Sequence, residues 1–184
     1  MKDVNGYAVT GGPGSFTGVR VGLTTVKAWA EVYGKPVAAI SRLEGIAAQA
    51  SGPLNYVAAF VNAQRGQVFG AVYRKEGEDL IGVGEEMVIT PGRFIETAVE
   101  LAGGERIAWA SPDNGLVVTE PPWKEREKRG ESLEEVSATL AAVIGRIGLK
   151  RLGEGKATDG LALDANYVRR SDAEIFWKGA AHGH

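Results

Sequence analysis

The chain has no cysteine, and its only two histidines, His182 and His184, lie among the last three of its 184 residues. The absence of cysteine excludes disulfides, thiolate metal sites and thiol nucleophiles. Imidazole is the usual general base and metal ligand near neutral pH, and the body of the chain has none. Neither a Ser–His or Cys–His nucleophile nor a histidine-containing metal site is therefore expected.

Positive charge and long apolar runs are also scarce. The 21 Lys and Arg residues are outnumbered by 23 Asp and Glu residues, which gives a formal net charge of −2. The protein as a whole therefore has no net basic field that would attract a nucleic-acid backbone. No apolar segment approaches the ~20 residues that a membrane-spanning helix needs. We expect a cytoplasmic protein that does not associate with membranes.

A glycine-rich stretch follows a short apolar strand, predicted at residues 7–10, and precedes a helix predicted over residues 15–33. A strand, a glycine-rich turn and a helix can direct backbone N–H groups at an anion. A phosphate-binding P-loop needs Lys and then Ser or Thr after its second glycine, but Val19 and Arg20 stand there. The dinucleotide fingerprint needs its last two glycines three residues apart, whereas Gly14 and Gly18 are four apart. Neither ATP hydrolysis nor NAD binding is therefore indicated. The candidate loop residues are Gly12, Gly14, Ser15, Thr17 and Gly18.

The predicted helix carries one polar stripe and two apolar or small-residue stripes. The polar stripe contains Arg20, Thr24, Lys27 and Glu31. The first apolar stripe contains Val19, Leu23, Val26, Ala30 and Tyr33, and the second contains Gly18, Gly22, Thr25, Trp29 and Val32. A helix that lies on its own sheet needs only one apolar stripe. The second stripe can pack against another helix, and the pattern leaves open whether that helix is internal or belongs to a partner.

The rest of the chain alternates between strand and helix patterns. Strands are predicted at residues 37–40, 56–61, 67–73, 80–89 and 106–110, and helices at residues 42–50, 91–102 and 132–152. Two capping boxes are predicted, Ser41 with Glu44 and Ser132 with Glu135. Residues 111–130 are rich in proline and in charges of both signs, which predicts a surface loop with a brief strand at residues 116–118.

The chain resembles the bacterial TsaB family, also called YeaZ, whose members are partner subunits in the synthesis of threonylcarbamoyladenosine in tRNA. The resemblance rests on the loop and helix sequence of residues 12–22, on Lys35-Pro36-Val37, and on residues 41–44. It rests also on residues 166–174, where Tyr167 and Arg169 precede Ser171-Asp172-Ala173-Glu174. The matching motifs occur in the family's order and cover nearly the whole chain.

The resemblance implies an α/β, actin-like or sugar-kinase-like (ribonuclease H-like) duplicated fold. Family members begin with further strands and a helix that have no counterpart before residue 1, so we expect a first lobe that is truncated at its N-terminus. Residues 1–54 would be the remainder of that lobe. Residues 55–184 would form the second lobe, with a C-terminal helix and tail that pack back on the first.

The resemblance also implies a non-catalytic scaffold with no metal, no cofactor and no catalytic residue of its own. It implies binding to a TsaD-like catalytic paralogue, association with a TsaE-like ATPase, indirect contact with tRNA, and a homodimer when the chain is alone. The expected partner-binding residues are Gly18, Gly22, Leu23, Val26, Trp29, Ala30 and Tyr33. In the hairpin at residues 62–66 the family usually has acidic residues where this chain has Asn62 and Gln67, which disfavours a carboxylate-dependent metal or nucleotide site. Two alternatives remain, a nucleotide-binding phosphotransferase of the same fold and the peptidase activity historically ascribed to the family.

Overall fold

The computed structural model describes residues 3–158, and in this part strands and helices alternate apart from three consecutive strands in the middle of the chain. The strands are β1 (Tyr7–Thr10), β2 (Val37–Ile40), β3 (Tyr56–Gln64), β4 (Gln67–Glu76), β5 (Asp79–Ile89), β6 (Ile107–Ser111) and β7 (Leu133–Glu135). The helices are α1 (Phe16–Tyr33), α2 (Arg42–Ala47), α3 (Pro91–Leu101), α4 (Pro121–Lys128) and α5 (Ala141–Gly153). None of the helices in this part is long and apolar enough to cross a membrane.

The first three elements form a β–α–β unit. Strand β2 returns parallel to β1, with Tyr7 opposite Val37 and Thr10 opposite Ile40. The Ser15 side chain caps the start of α1, and Gly34 ends the helix at φ 61°, a left-handed conformation in which a side chain would be strained. The predicted strand, helix and glycine stop are confirmed.

Two sheets and their helices stack in five layers. The order is α1, the two-stranded sheet β1–β2, a layer of α2 and α5, the five-stranded sheet β5-β4-β3-β6-β7, and a layer of α3 and α4. Helix α5 approaches the small sheet closely, because a Cβ on Gly148 would lie 2.4 Å from the Cβ of Ala8. The two sheets are therefore joined through this middle layer, in which α5 packs on the small sheet, α2 packs on the large sheet, and the two helices contact each other.

Each face of the large sheet has its own apolar core. The inner face packs Val57, Ala59 and Ala110 against Leu43 and Ile46 of α2. The outer face packs buried aromatic and β-branched side chains against α3 and α4: Phe60, Val72, Phe94, Ile95, Ile107, Trp109 and Trp123. Strands that are buried on both faces read as continuous apolar runs, which is why β3, β4 and β6 were predictable.

The prediction of a surface loop over residues 111–130 is wrong. Asn114–Leu116 forms a turn of 3₁₀ helix in place of the predicted strand, and Pro121–Lys128 forms α4. Pro121 and Pro122 occupy the first turn of α4, where no intrahelical N–H bond is lost. Trp123 is buried on the outer face of the large sheet. Two prolines here begin a helix instead of preventing one.

The prediction that the last helix begins at Ser132 is also wrong. Residues Leu133–Glu135 pair with β6 as strand β7, and α5 begins only at Ala141. The carboxylate of Glu134 accepts hydrogen bonds from the N–H and the hydroxyl of Ser51, each at 2.8 Å. The acidic residues of this stretch therefore do not cap a helix. The tail motif with Tyr167 and Arg169 lies outside the described residues.

Candidate partner-binding surface

The glycine-rich loop joins the end of β1 to the start of α1. Gly12 has a φ of 116°, which glycine adopts without strain, and its carbonyl accepts a hydrogen bond from the Arg42 N–H at 2.6 Å. The Ser15 Oγ accepts from the Gly18 N–H at 3.5 Å, so the chain itself uses one N–H group of the first helical turn. The loop thus caps α1 and ties it to α2, while phosphate binding at the loop belongs only to the nucleotide-binding alternative.

One cation lies beside this loop. A Cβ on Gly14 would be 3.5 Å from Nη1 of Arg42. Burial lowers the pKa of Arg42 from its ordinary value, and the carboxylate of Asp113 partly opposes that shift. The same carboxylate accepts from the Asn62 N–H at 3.1 Å. Arg42 therefore lies between the glycine-rich loop and the ends of strands from the large sheet. Thr17, another of the candidate loop residues, is exposed to solvent.

Helix α1 covers its own sheet with its first apolar stripe. Leu23 and Ala30 are only 6% and 7% exposed, and Val19 and Val26 pack against the same cluster. These side chains hold the helix on β1 and β2. A contribution of Leu23, Val26 or Ala30 to partner binding would therefore be indirect, and Tyr33 is half-buried as well.

The second stripe of α1 is open to solvent. Trp29 is 39% exposed and Val32 is 74% exposed, while Gly22 has nothing within 4 Å of the position a Cβ would take. The indole of Trp29 rests against the ring of Tyr7 in β1, with ring centroids 5.9 Å apart. Gly18 is also exposed. Of the predicted partner-binding residues, Gly18, Gly22 and Trp29 are those that offer surface.

A half-buried carboxylate links β5 to the start of α2. The Ser41 hydroxyl donates to Oε1 of Glu86 and also accepts from the Leu43 N–H at 3.0 Å, which caps α2. The Tyr73 hydroxyl lies 3.5 Å from the same carboxylate oxygen. Burial raises the pKa of Glu86, and the hydrogen bonds from Ser41 and Tyr73 partly counter it. Sequence patterns gave no signal for this cluster, because Glu86 lies 45 residues from Ser41.

The predicted capping role of Glu44 is wrong. Both carboxylate oxygens of Glu44 accept from Nη2 of Arg151 at 2.7 Å, and Arg151 Nη1 donates to the Ala39 carbonyl at 2.9 Å. Burial raises the pKa of Glu44, and the Arg151 guanidinium acts in the opposite direction. This ion pair forms one wall of a pocket of about 700 Å³ between α2, the β4–β5 turn and α5. A second ion pair, Lys150 with Asp79, crosses the same pocket.

Metal-binding clusters are not found in the described part of the chain: no group of three or more His, Cys, Asp or Glu side chains is arranged to hold an ion there. The described features are a capped glycine-rich loop, an exposed small-residue and indole stripe on α1, and internal ion pairs. Of these, the stripe on α1 offers a surface that a partner could contact.

The five layers, with helices between and outside two sheets, define a mixed α/β protein. Residues 1–141 match the family model described as TsaD: tRNA N6-adenosine threonylcarbamoyltransferase. The chain belongs to this family.

Curated relatives confirm the resemblance to TsaB. The tRNA threonylcarbamoyladenosine biosynthesis protein TsaB of Bacillus subtilis (strain 168) is 37% identical over 73 residues, which is 40% of this chain and 32% of that protein. The protein of the same name from Escherichia coli (strain K12) is 34% identical over 108 residues, 56% of this chain and 46% of that protein. The chain thus spans less than half the length of these relatives.

Solved structures show the same fold. A crystal structure of an uncharacterized Pseudomonas aeruginosa protein with similarity to peptidase YEAZ superposes with a TM-score of 0.74 at 24% identity, covering 91% of this chain and 75% of that one. A second structure, YeaZ from Pseudomonas aeruginosa, superposes with a TM-score of 0.69 at 23% identity. At such identities the agreement concerns the fold alone.

Proposed function

We propose that this chain is a non-catalytic partner subunit of the machinery that forms threonylcarbamoyladenosine in tRNA, and that it binds a TsaD-like paralogue through α1. The observation that carries the proposal is the open stripe of α1, formed by Gly18, Gly22, Trp29 and Val32, in a chain whose relatives are TsaB proteins. Small residues allow another helix to approach closely, and an indole supplies a large contact area.

The chemistry of the chain supports an accessory role. It has no histidine before His182 and no cysteine, and its buried charged side chain Arg126 is paired within the chain with Glu131. We expect the paralogue to provide the catalytic groups and most of the tRNA contacts, and a TsaE-like ATPase to join the complex. Residues 1–54 and 55–184 would act as two lobes of one duplicated actin-like fold in the cytoplasm. When the paralogue is absent, two copies of the chain would pair.

Co-purification tests this proposal. The chain and the TsaD-like protein of the same organism would be co-expressed, and the complex would be measured by size-exclusion chromatography with light scattering. We expect co-elution, loss of the complex with Trp29→Glu, and retention of the complex with Ile81→Glu. The two side chains are similarly exposed, at 39% and 44%, but Ile81 lies on β5, away from α1.

Two results would contradict the proposal. One is an intact complex with Trp29→Glu, which would remove α1 from the interface. The other is threonylcarbamoyl transfer to tRNA by the chain alone, which would make it an enzyme in its own right.

A further inference from the structure

The pocket between α2, the β4–β5 turn and α5 has the size of a small-molecule site. Its volume of about 700 Å³ falls within the ~300–1,000 Å³ that is usual for ligand pockets. Its lining residues run from Glu44 to Lys156, and none of them belongs to α1 or to the glycine-rich loop. The pocket is therefore separate from the surface to which partner binding is assigned above.

Part of the pocket lining is apolar. Small and aliphatic side chains come from α2 and the residues after it, from β5 and from α5: Ala47, Ala48, Ala50, Leu80, Ile81 and Ile147. Ala50, Leu80 and Ile147 also pack against the core on the inner face of the large sheet, which holds them in place. A ligand with an aliphatic group would bury that group here and gain the free energy of removing it from water.

The rest of the lining is charged, with equal numbers of both signs. The cations are Lys75, Lys150, Arg151 and Lys156, and the carboxylates are Glu44, Glu78, Asp79 and Glu154. Three cations are paired with three carboxylates: Arg151 with Glu44, Lys150 with Asp79 and Lys156 with Glu154. These pairs satisfy each other's charge, so a ligand gains little by contacting them.

Lys75 and Glu78 are the two lining charges that remain. The Lys75 ammonium donates to the Gly52 carbonyl at 3.0 Å, and it forms no ion pair with any described residue. Glu78 likewise has neither a hydrogen bond nor an ion pair within the described part of the chain. An ammonium has three N–H donors and a carboxylate has two acceptor oxygens. The β4–β5 hairpin therefore presents one positive and one negative group to the pocket, beside its apolar lining.

We propose that this pocket binds a small zwitterion with an apolar side chain, either a free α-amino acid or a short peptide with free termini. The ligand's carboxylate accepts a hydrogen bond from Lys75, its ammonium donates to Glu78, and its side chain packs on Leu80 and Ile147. A ligand with a single charge would leave one of the two protein side chains without a partner. The two charges thus select and orient the ligand, while the apolar lining supplies contact area.

Titration of the purified full chain followed by amide NMR tests the ligand chemistry. The probes are leucine, leucyl-leucine, N-acetylleucine, which lacks the ammonium, and leucinamide, which lacks the carboxylate. We expect saturable shifts of the Ala48 and Leu80 amides with leucine or leucyl-leucine, and a dissociation constant on the order of 1 mM, because exposed charges contribute little each. The two single-charge analogues should bind about fivefold more weakly or worse, since each loses one charge-assisted hydrogen bond. The tighter of the two zwitterions distinguishes an amino acid site from a peptide site.

Variants of the β4–β5 hairpin locate the binding. Lys75→Gln and Glu78→Gln should each weaken binding of the zwitterion about fivefold or more. Arg74→Gln and Glu76→Gln are the matched controls, because these charges lie on the same hairpin but do not line the pocket. Ala48→Trp, at an exposed position in the lining, should block binding by filling the space. Circular dichroism of each variant would check that it is folded.

Three results would each overturn the proposal. The first is the absence of saturable binding by either zwitterion. The second is binding of N-acetylleucine or leucinamide as tight as that of leucine, which would mean that one charge suffices. The third is binding that persists unchanged in both Lys75→Gln and Glu78→Gln, which would place the ligand elsewhere. None of these measurements involves the TsaD-like protein, so their failure is separate from failure of the proposed complex.

Discussion

A single buried ion pair fixes α4 against the large sheet. Nε of Arg126 donates to Oε2 of Glu131 at 2.9 Å, and the Trp109 indole N–H donates to the same oxygen at 2.7 Å. Arg126 and Glu131 are 5% and 4% exposed. Every charged group here therefore has its partner inside the protein, and removal of one partner leaves the other buried and unpaired.

We predict that Glu131→Ala lowers the free energy of unfolding by about 3–5 kcal/mol, because Arg126 would keep its charge without a counter-charge. Glu125→Ala, in the helix that carries Arg126, is the control, since the Glu125–Lys128 pair is exposed and such pairs contribute about 0–1 kcal/mol. Urea unfolding of the two variants measures both values. Equal losses of unfolding free energy in Glu131→Ala and Glu125→Ala would show that burial does not govern the energy of the Arg126–Glu131 pair.

The Glu86 carboxylate makes stability depend on pH. Burial raises its pKa above the ordinary 4.5, so the folded chain holds this proton more tightly than the unfolded chain does. The group then favours folding most below pH of about 4.5, and that contribution is lost as the pH rises through the folded-state pKa. We predict that the stability of wild type relative to Glu86→Gln falls as pH rises from about 4.5.

Denaturant unfolding at several pH values measures this difference. Glutamine can keep hydrogen bonds to Ser41 and Tyr73, so the change isolates the charge. Glu85→Gln, at the exposed neighbouring position on β5, serves as the control and should follow the wild-type curve. A wild-type advantage over Glu86→Gln that grows with pH would contradict the predicted direction.

At the scale of elements, the close packing of α5 on the small sheet depends on one glycine. A Cβ on Gly148 would lie 2.4 Å from the Cβ of Ala8, whereas a Cβ on Gly145 would have nothing within 4 Å. We predict that Gly148→Ala destabilises the chain by about 1–3 kcal/mol through overpacking. Gly145→Ala should stabilise it by about 0.5–1 kcal/mol, because alanine is the better helix former.

Thermal or urea unfolding at low protein concentration compares the two alanine variants without a contribution from dimers. The prediction fails if Gly148→Ala is as stable as Gly145→Ala, since α5 would then have room to move away from β1.

Elements with strong local signals were predictable, and those fixed by distant contacts were not. The start of α1 at Ser15 and its end at Gly34 follow from a polar cap and a glycine stop, and Pro91 marks the start of α3. In contrast, Ser132 and Glu135 match a capping box but lie at a strand, because pairing with β6 outweighs the local preference. The residue spacing of a capping box gives no information about whether the same residues pair with a distant strand.

The candidate surface was predictable in part for the same reason. Helical spacing separated the two stripes of α1. It did not show that the stripe with Leu23 and Ala30 is the buried one, so these residues were also expected to bind a partner. The Glu86–Ser41 and Glu44–Arg151 contacts join residues 45 and 107 positions apart. Such contacts depend on the arrangement of the two sheets around α2 and α5, which no local pattern contains.

At the scale of the whole molecule, negative charge slightly exceeds positive charge. Among the described residues, several exposed cations are paired with neighbouring carboxylates: Arg74 with Glu76, Arg93 with Glu96, Lys128 with Glu125 and Lys156 with Glu154. A nucleic-acid surface instead concentrates unpaired Lys and Arg on one face. With a net charge of −2, the chain has little means of attracting a phosphate backbone.

We therefore predict that the chain alone shows no saturable binding to tRNA in 50 mM salt at protein concentrations up to about 10 µM, because few counterions would be released on contact. Filter binding at 50 and 200 mM salt measures this, with the co-purified complex as the positive control. A protein that makes 6–10 phosphate contacts loses roughly 10³–10⁵ in affinity between these salt concentrations. Micromolar binding by the chain alone with a salt dependence of that size would show that it carries a tRNA surface of its own, and that its contact with tRNA is direct.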